Sequence, residues 1–212
     1  MPEPVKTIVG KAAPLASDDI DTDQIIPSQF LKVTEKAGLS KYLFHRLRYD
    51  NAGRLTGDFV LDRPEFRGAK VLVAGKNFGI GSSRENAVWA LLDMGVKCVV
   101  ASSFGDIFYN NAARNGLLCA KLSEPELLRL REMAGGGGLA IAIDLEAQTL
   151  SYGGDVVRFQ MEGHVKERLL NGIDEIGLTI TRYDEAIRRY EGSSPPYTRP
   201  SARALGRPER EP

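Results

Sequence analysis

The chain has 212 residues, with 28 Lys plus Arg against 28 Asp plus Glu, so its formal net charge is zero. This balance excludes the basic surface that binds nucleic acid and disfavours attachment to an anionic membrane. Apolar residues make up 42% of the chain and charged residues 26%, which is typical of a globular protein with a hydrophobic core. The length predicts one domain of ordinary size.

Cysteine is scarce in this sequence. Cys98 and Cys119 are the only two, and they do not form a C-x-x-C pair. A disulfide framework, a zinc site or an iron–sulfur cluster held by this chain alone is therefore not expected, since a cluster normally needs three or four thiolates. No targeting segment and no run of ~20 apolar residues is visible, so we expect a soluble protein in the reducing cytoplasm.

Strands and helices are predicted to alternate through the middle of the chain. Short β-branched runs ended by glycines predict strands, and apolar residues at helical spacing predict helices. The strands are expected at 69–74, 97–101 and 117–122, and the helices at 83–93, 104–115 and 124–133. This β-α-β-α-β-α order predicts an α/β fold.

The remainder of the chain is predicted to close one domain spanning residues 1–191. Alternating segments at 139–145, 149–152 and 156–159 predict strands, the last two joined at the Gly153-Gly154 turn, and helices follow at 164–171 and 183–191. Residues 192–212 contain five prolines and four arginines with almost nothing apolar, which predicts a disordered tail.

The glycine-rich segment GKNFGIGSSRE at residues 75–85 carries the strongest chemical signal. It places two hydroxyls and Arg84 at the start of a helix, where free backbone N–H groups and the helix dipole favour an anion. Its spacing matches neither nucleotide-binding glycine pattern. Two interpretations are open. Ser82 and Glu85 form a capping box, or the Arg84 guanidinium and the hydroxyls hold a carboxylate.

The acidic segment SDDIDTDQIIP at residues 17–27 is the second candidate. It lacks the glycine and the terminal Glu of a calcium loop. One interpretation is a solvated acidic turn before a short apolar strand. The other is that the apolar residues after Asp23 hold its carboxylate still, so that it orients an arginine or a substrate hydroxyl. Further on, Arg46 and Arg48 lie in a polar segment that can reach over a site, although spacing alone makes them surface residues.

Five blocks between residues 17 and 191 resemble a known family: DTDQIIPSQFL, NFG-x-GSSRE, AVWAL, SFGDIFYNNAARNGLL and IDEIGLTITRYDEAIRRYE. The sequence is similar to the small-subunit family of bacterial 3-isopropylmalate dehydratase, in the aconitase superfamily. The resemblance implies a layered β/β/α swivelling domain. It also implies a hydro-lyase of leucine biosynthesis that interconverts 2-isopropylmalate and 3-isopropylmalate through isopropylmaleate.

The same resemblance implies a partner and a set of site residues. The partner is a large subunit that carries a [4Fe-4S] cluster, in a heterodimer or a larger complex, and the substrate is a small dicarboxylate. Ser82 matches the catalytic base, and Ser83 and Arg84 match positions that hold a substrate carboxylate. Asp23 matches a position at the edge of the active site, and Arg48 falls in a substrate-recognition loop at about 42–57.

Three positions depart from the family pattern. Ile80 stands where Cys is common, Asn86 where His is common, and Val88 where Pro is common. These departures leave open a related alkyl-malate hydro-lyase, of the homoaconitase or citraconate hydratase type, and a non-catalytic anion-binding module.

Overall fold

The computed structural model describes residues 2–31, 37–173 and 175–193. Contacts divide the chain into two units, residues 1–173 and 174–212. In the second unit the described part is one helix, Glu175–Ser193, interrupted at Tyr183, where the backbone leaves helical geometry (φ −121°, ψ 16°). The predicted tail begins at residue 192, and its residues 194–212 lie outside the described residues, so its disorder stays a prediction.

The first unit is built on a seven-stranded mixed sheet in the order β4-β3-β2-β1-β5-β6-β7. The strands are β1 (Thr7–Pro14), β2 (Val71–Val73), β3 (Cys98–Ala101), β4 (Leu118–Lys121), β5 (Ala140–Asp144), β6 (Thr149–Tyr152) and β7 (Asp155–Arg158). β1 to β4 are parallel, and β5, β6 and β7 pair antiparallel. The predicted α/β class is confirmed.

The central strand β1 was not predicted. Its sequence TIVGKAAP opens with the short β-branched run TIV, but the glycine, two alanines and proline that follow are uncommon in strands. Its place in the sheet comes from two neighbours: Ala12 pairs with Val71 in parallel, and Ile8 pairs with Ile143 in antiparallel. β1 therefore joins the parallel half of the sheet to the antiparallel half.

The predicted helices are present with shifted ends. The helices of the first unit are α1 (Thr22–Ile25), α2 (His45–Arg48), α3 (Glu85–Asp93), α4 (Asp106–Asn115), α5 (Glu124–Gly135) and α6 (Gly163–Asn171), and the helix of the second unit is α7 (Glu175–Ser193). One interpretation of the acidic segment placed a short strand after it. This expectation is wrong, because the helix α1 occupies that place. Asp21 caps α1 by accepting a hydrogen bond from the Gln24 amide at 2.7 Å. No helix among the described residues has the length and apolarity to cross a membrane.

Three loops meet at the carboxyl edge of the parallel strands. Residues 15–21 follow β1, residues 74–84 follow β2, and residues 102–105 follow β3. Isolated bridges join these loops, Asp21 to Ile80 and Phe78 to Phe104. Ligands of open α/β sheets bind at this edge, because the loops there converge while the strands behind them stay fixed. The glycine-rich segment is the central one of the three loops.

Candidate active site

The glycine-rich loop is hydrogen-bonded to a neighbouring loop on each side. On one side the Gly79 amide donates to the Ile20 carbonyl at 2.7 Å, and the Thr22 amide donates to the Ile80 carbonyl at 2.9 Å. On the other side the Phe78 amide donates to the Ser103 carbonyl at 3.0 Å. Since buried backbone groups need such partners, these bonds fix the path of the loop as it approaches the serines.

Two glycines are required by the close packing of this loop. Gly79 has φ +78°, and a Cβ there would overlap the Phe108 ring. At Gly105 a Cβ would lie 2.5 Å from the Gly79 carbonyl oxygen, although the backbone angles of Gly105 suit any residue. Both positions therefore depend on the absence of a side chain.

The acidic segment supplies acceptors to the loop. The Lys76 amide donates to Asp18 Oδ1 at 2.8 Å, and the Asn77 side-chain amide donates to Asp19 Oδ1 at 2.7 Å. Asp19 and Asn77 both have positive φ, 52° and 55°, a strained geometry that surrounding contacts must maintain. Both aspartates are exposed, so the segment is an acidic turn at the surface whose carboxylates also bind the loop.

Ser82 and Ser83 are exposed and lie just before helix α3. The helix begins at Glu85, with Arg84 as its N-cap and no side-chain capping bond. The capping-box interpretation of Ser82 is therefore wrong. Buried Thr22 instead fixes the backbone at Ser82, because its hydroxyl donates to the Ser82 carbonyl at 3.0 Å. Neither serine hydroxyl has a hydrogen-bond partner among the residues that the structure describes.

Asp23 orients Arg84. Arg84 Nη1 donates to Asp23 Oδ1 at 2.5 Å, and the Arg84 side chain is only 16% exposed. The same carboxylate oxygen accepts the Ser28 amide at 2.9 Å. The hydrogen bond from Arg84, followed by that from Ser28, lowers the pKa of Asp23 below its ordinary value, so the carboxylate stays charged. The sequence interpretation in which Asp23 holds an arginine describes this contact.

Arg48 lies away from this pair. Its Nε and Nη2 donate to the two carboxylate oxygens of Asp62 at 2.8 and 2.7 Å, and its Nη1 donates to the carbonyls of Ser40 and Leu43. The side chains of Arg48 and Asp62 are 8% and 7% exposed. The substrate contact implied for Arg48 stays a prediction, and these contacts favour a structural role instead, because the guanidinium is already bound inside the protein.

Arg46, which spacing alone made a surface arginine in a segment able to reach over a site, lies beside Asp23. Its Nη2 is 3.3 Å from Asp23 Oδ2, and its side chain is 65% exposed. Nothing in the sequence separates the two arginines, since both lie in the stretch HRLR. The difference arises from partners far along the chain, Asp23 for Arg46 and Asp62 for Arg48.

Comparison with known proteins decides the family. The model of the aconitase C-terminal domain matches residues 2–125. The 3-isopropylmalate dehydratase small subunit of Phenylobacterium zucineum is 54% identical over 171 residues, which cover 80% of this chain and 84% of the relative. The chain belongs to the 3-isopropylmalate dehydratase small-subunit family. A second relative, the 3-isopropylmalate dehydratase small subunit of Rhodopseudomonas palustris, is 48% identical over 187 residues, which cover 87% of this chain and 92% of the relative.

A solved structure agrees with this family assignment. The crystal structure of 3-isopropylmalate dehydratase from Methanocaldococcus jannaschii matches with a TM-score of 0.61 and 28% identity, covering 88% of this chain and 99% of that one. The predicted aconitase-type fold is thus confirmed. The three residues that depart from the family pattern differ in burial. Val88 is buried in α3, whereas Ile80 and Asn86, which are close to the serines in the sequence, are half-buried.

The residues of this chain do not suit an iron–sulfur cluster. Cys98 and Cys119 are both buried, on the adjacent strands β3 and β4. Burial raises the pKa of both thiols, which disfavours the thiolate form that ligates iron. In the described part of the chain no group of three His, Cys, Asp or Glu side chains is placed to hold a metal ion.

Proposed function

We propose that this chain supplies the base and the carboxylate contacts of a hydro-lyase that interconverts 2-isopropylmalate and 3-isopropylmalate through isopropylmaleate. One observation carries the proposal: two exposed serines stand beside Arg84, whose guanidinium is oriented by Asp23, in a loop fixed from both sides. A guanidinium held in this way can bind a carboxylate through two parallel hydrogen bonds.

In this proposal Ser82 removes a proton from the carbon next to a substrate carboxylate. An unassisted serine alkoxide is disfavoured near neutral pH, so the positive charge of Arg84 and the first amides of α3 must stabilise it. The proton moves from the substrate carbon to Ser82 Oγ, and the reverse transfer accompanies the re-addition of water. Ser83 and Arg84 hold the carboxylate, which fixes the reacting carbon near the base.

The second half of the site is proposed to lie on a large subunit. The names of the relatives describe them as small subunits, which implies such a partner. We propose that the partner holds a [4Fe-4S] cluster, which would act as the Lewis acid, and that the complex works in leucine biosynthesis in the cytoplasm. A heterodimer is the smallest assembly with one complete site.

The test is the variant Ser82→Ala, purified together with the large subunit. Removal of the base is expected to lower kcat for 2-isopropylmalate by about 10²–10⁴-fold, the range for loss of a general base. Ser151→Ala is the matched control, because Ser151 lies on β6 in the antiparallel half of the sheet. Both variants should copurify with the large subunit in wild-type amounts.

The substrate is tested on the wild-type complex. Turnover of 2-isopropylmalate is to be compared with that of citraconate and of homocitrate-type acids. A strong preference for one of the other acids would show a related hydro-lyase and overturn the leucine assignment. Full turnover by the Ser82→Ala complex would overturn the assignment of the base. A wild-type complex inactive on every acid would favour the non-catalytic anion-binding module.

A further inference from the structure

Asp23 is shared by two arginines that differ in burial. Arg84 is largely buried and binds Oδ1 at 2.5 Å, whereas Arg46 is 65% exposed and lies 3.3 Å from Oδ2. The contact to Arg84 is a hydrogen bond, but the contact to Arg46 is an ion pair without one. Exposed ion pairs of this kind are weak, because water screens the charges and the side chain loses rotamer freedom. Arg46 can therefore leave Asp23 at little cost.

The cluster carries an excess of positive charge. Two guanidinium groups face one carboxylate, so Asp23, Arg46 and Arg84 together have a net charge of +1 when all are ionised. Asp23 keeps two hydrogen bonds, from Arg84 and the Ser28 amide, when Arg46 moves away. No other partner of the Arg46 guanidinium occurs within the described ranges. An incoming anion is therefore favoured at this edge of the site.

The backbone that carries Arg46 is fixed on both sides. On one side His45 packs on the Phe30 ring, with centroids 4.9 Å apart, and stacks on Tyr49 at 4.6 Å. On the other side the buried pair of Arg48 with Asp62 anchors the end of α2. The exposed arginine therefore extends from an ordered base, and binding through it orders only one side chain.

We propose that Arg46 binds a carboxylate of the substrate together with Arg84, exchanging its contact with Asp23 for the substrate. The two guanidiniums already converge on one carboxylate, that of Asp23, and this shows that their spacing suits a carboxylate ligand. The inference rests on the proposed function, because it takes the substrate to be the dicarboxylate held by Ser83 and Arg84. It assigns a binding contact to Arg46, which lies within the implied substrate-recognition loop but outside the five blocks that carry the family resemblance.

The test compares Arg46→Gln with Arg129→Gln in complexes with the large subunit. The Arg129 pair with Asp155 is matched to the Arg46 pair, since the arginines are 64% and 65% exposed and the aspartates 35% and 31%. Arg46→Gln is expected to raise KM about tenfold and to leave kcat within about twofold, as for a contact made equally in ground and transition states. Arg46→Lys should recover part of the loss, and Arg129→Gln should change neither constant.

Added salt provides a second readout that a structural role would not alter. The KM of the wild type should rise with ionic strength more steeply than that of Arg46→Gln, since screening weakens a contact the variant has lost. An active wild type with equal KM values for Arg46→Gln and Arg129→Gln would overturn this inference and leave the proposed function intact. A wild-type complex without turnover of any dicarboxylate would overturn the proposed function, and this inference with it.

Discussion

Replacement of Arg48 by methionine separates a structural role from a substrate contact. The guanidinium makes two hydrogen bonds to Asp62 and two to backbone carbonyls, and both charged side chains are less than one tenth exposed. In Arg48→Met the Asp62 carboxylate would remain buried without its counter-charge. Breaking a buried pair in this way costs about 3–5 kcal/mol.

The expected loss is large against the whole stability of a domain, which is about 5–15 kcal/mol. With a urea dependence of about 2 kcal/mol per molar, the unfolding midpoint should fall by about 2 M. The double variant Arg48→Met with Asp62→Leu removes both charges. Because an apolar pair can replace a buried ion pair at little cost, it should regain about half of the lost stability or more. The carbonyls of Ser40 and Leu43 remain without their donor, which limits the recovery.

Urea unfolding followed by circular dichroism measures these differences, with Arg54→Met as the exposed control. Arg54 pairs with Asp50 at 80% and 33% exposure, so its loss should leave the unfolding midpoint almost unchanged. Activity of the double variant with the large subunit then separates the two roles. Recovery of KM and kcat together with stability supports the structural role. Restored stability with activity still lost would show that Arg48 contacts the substrate and would refute the argument.

Two further variants probe how the loop and the arginine are held. Gly105→Ala should destabilise the protein by about 1–3 kcal/mol and lower kcat, because its Cβ would press on the Gly79 carbonyl, whereas Gly135→Ala meets no atom within 4 Å and should be neutral in thermal unfolding. Asp23→Asn should reduce both kcat/KM and stability by releasing Arg84. Since the pKa of Asp23 is lowered from its ordinary value of 3.8, its charge stabilises the fold above that pH and ceases to do so as pH falls below it. The stability difference between wild type and Asp23→Asn, measured by urea unfolding, should therefore be full at pH 7 and shrink below pH 3.8, and a constant difference would contradict this reasoning.

The strands β2, β3 and β4 and the helices between them were readable from the sequence because their signals are local. Fully buried strands such as β2 and β3 are short runs of β-branched residues, and the helices between them keep helical spacing. The segment after the acidic turn misled for a local reason too. Ile25 and Ile26 look like a strand, but the Asp21 cap starts a helix that ends at Ile25, and both isoleucine side chains are buried.

The site was readable only in part, since its contacts join distant parts of the chain. The serines and Arg84 form one contiguous motif, which the sequence displays directly. The pairing of Asp23 with Arg84 spans 61 positions, and no periodicity reports such a contact. The surroundings of Arg46 and Arg48 also depend on partners far along the chain. Composition and spacing therefore cannot distinguish these two arginines, although the fold places them in different surroundings.

In the proposed function the site is divided between two chains, and this division would explain both the exposure of the serines and the rigidity of their backbone. A substrate held between two polypeptides must reach the hydroxyls of Ser82 and Ser83 from the surface, so these side chains cannot be buried by the chain that carries them. If the loop became ordered only when the subunits associate, the conformational entropy lost by the loop would weaken their association. The backbone bonds to Ile20 and Ser103, and the glycines packed against each other, remove this cost before the partner arrives. In the proposed function, this chain alone would therefore set the geometry of the base, and the complex would enclose the substrate.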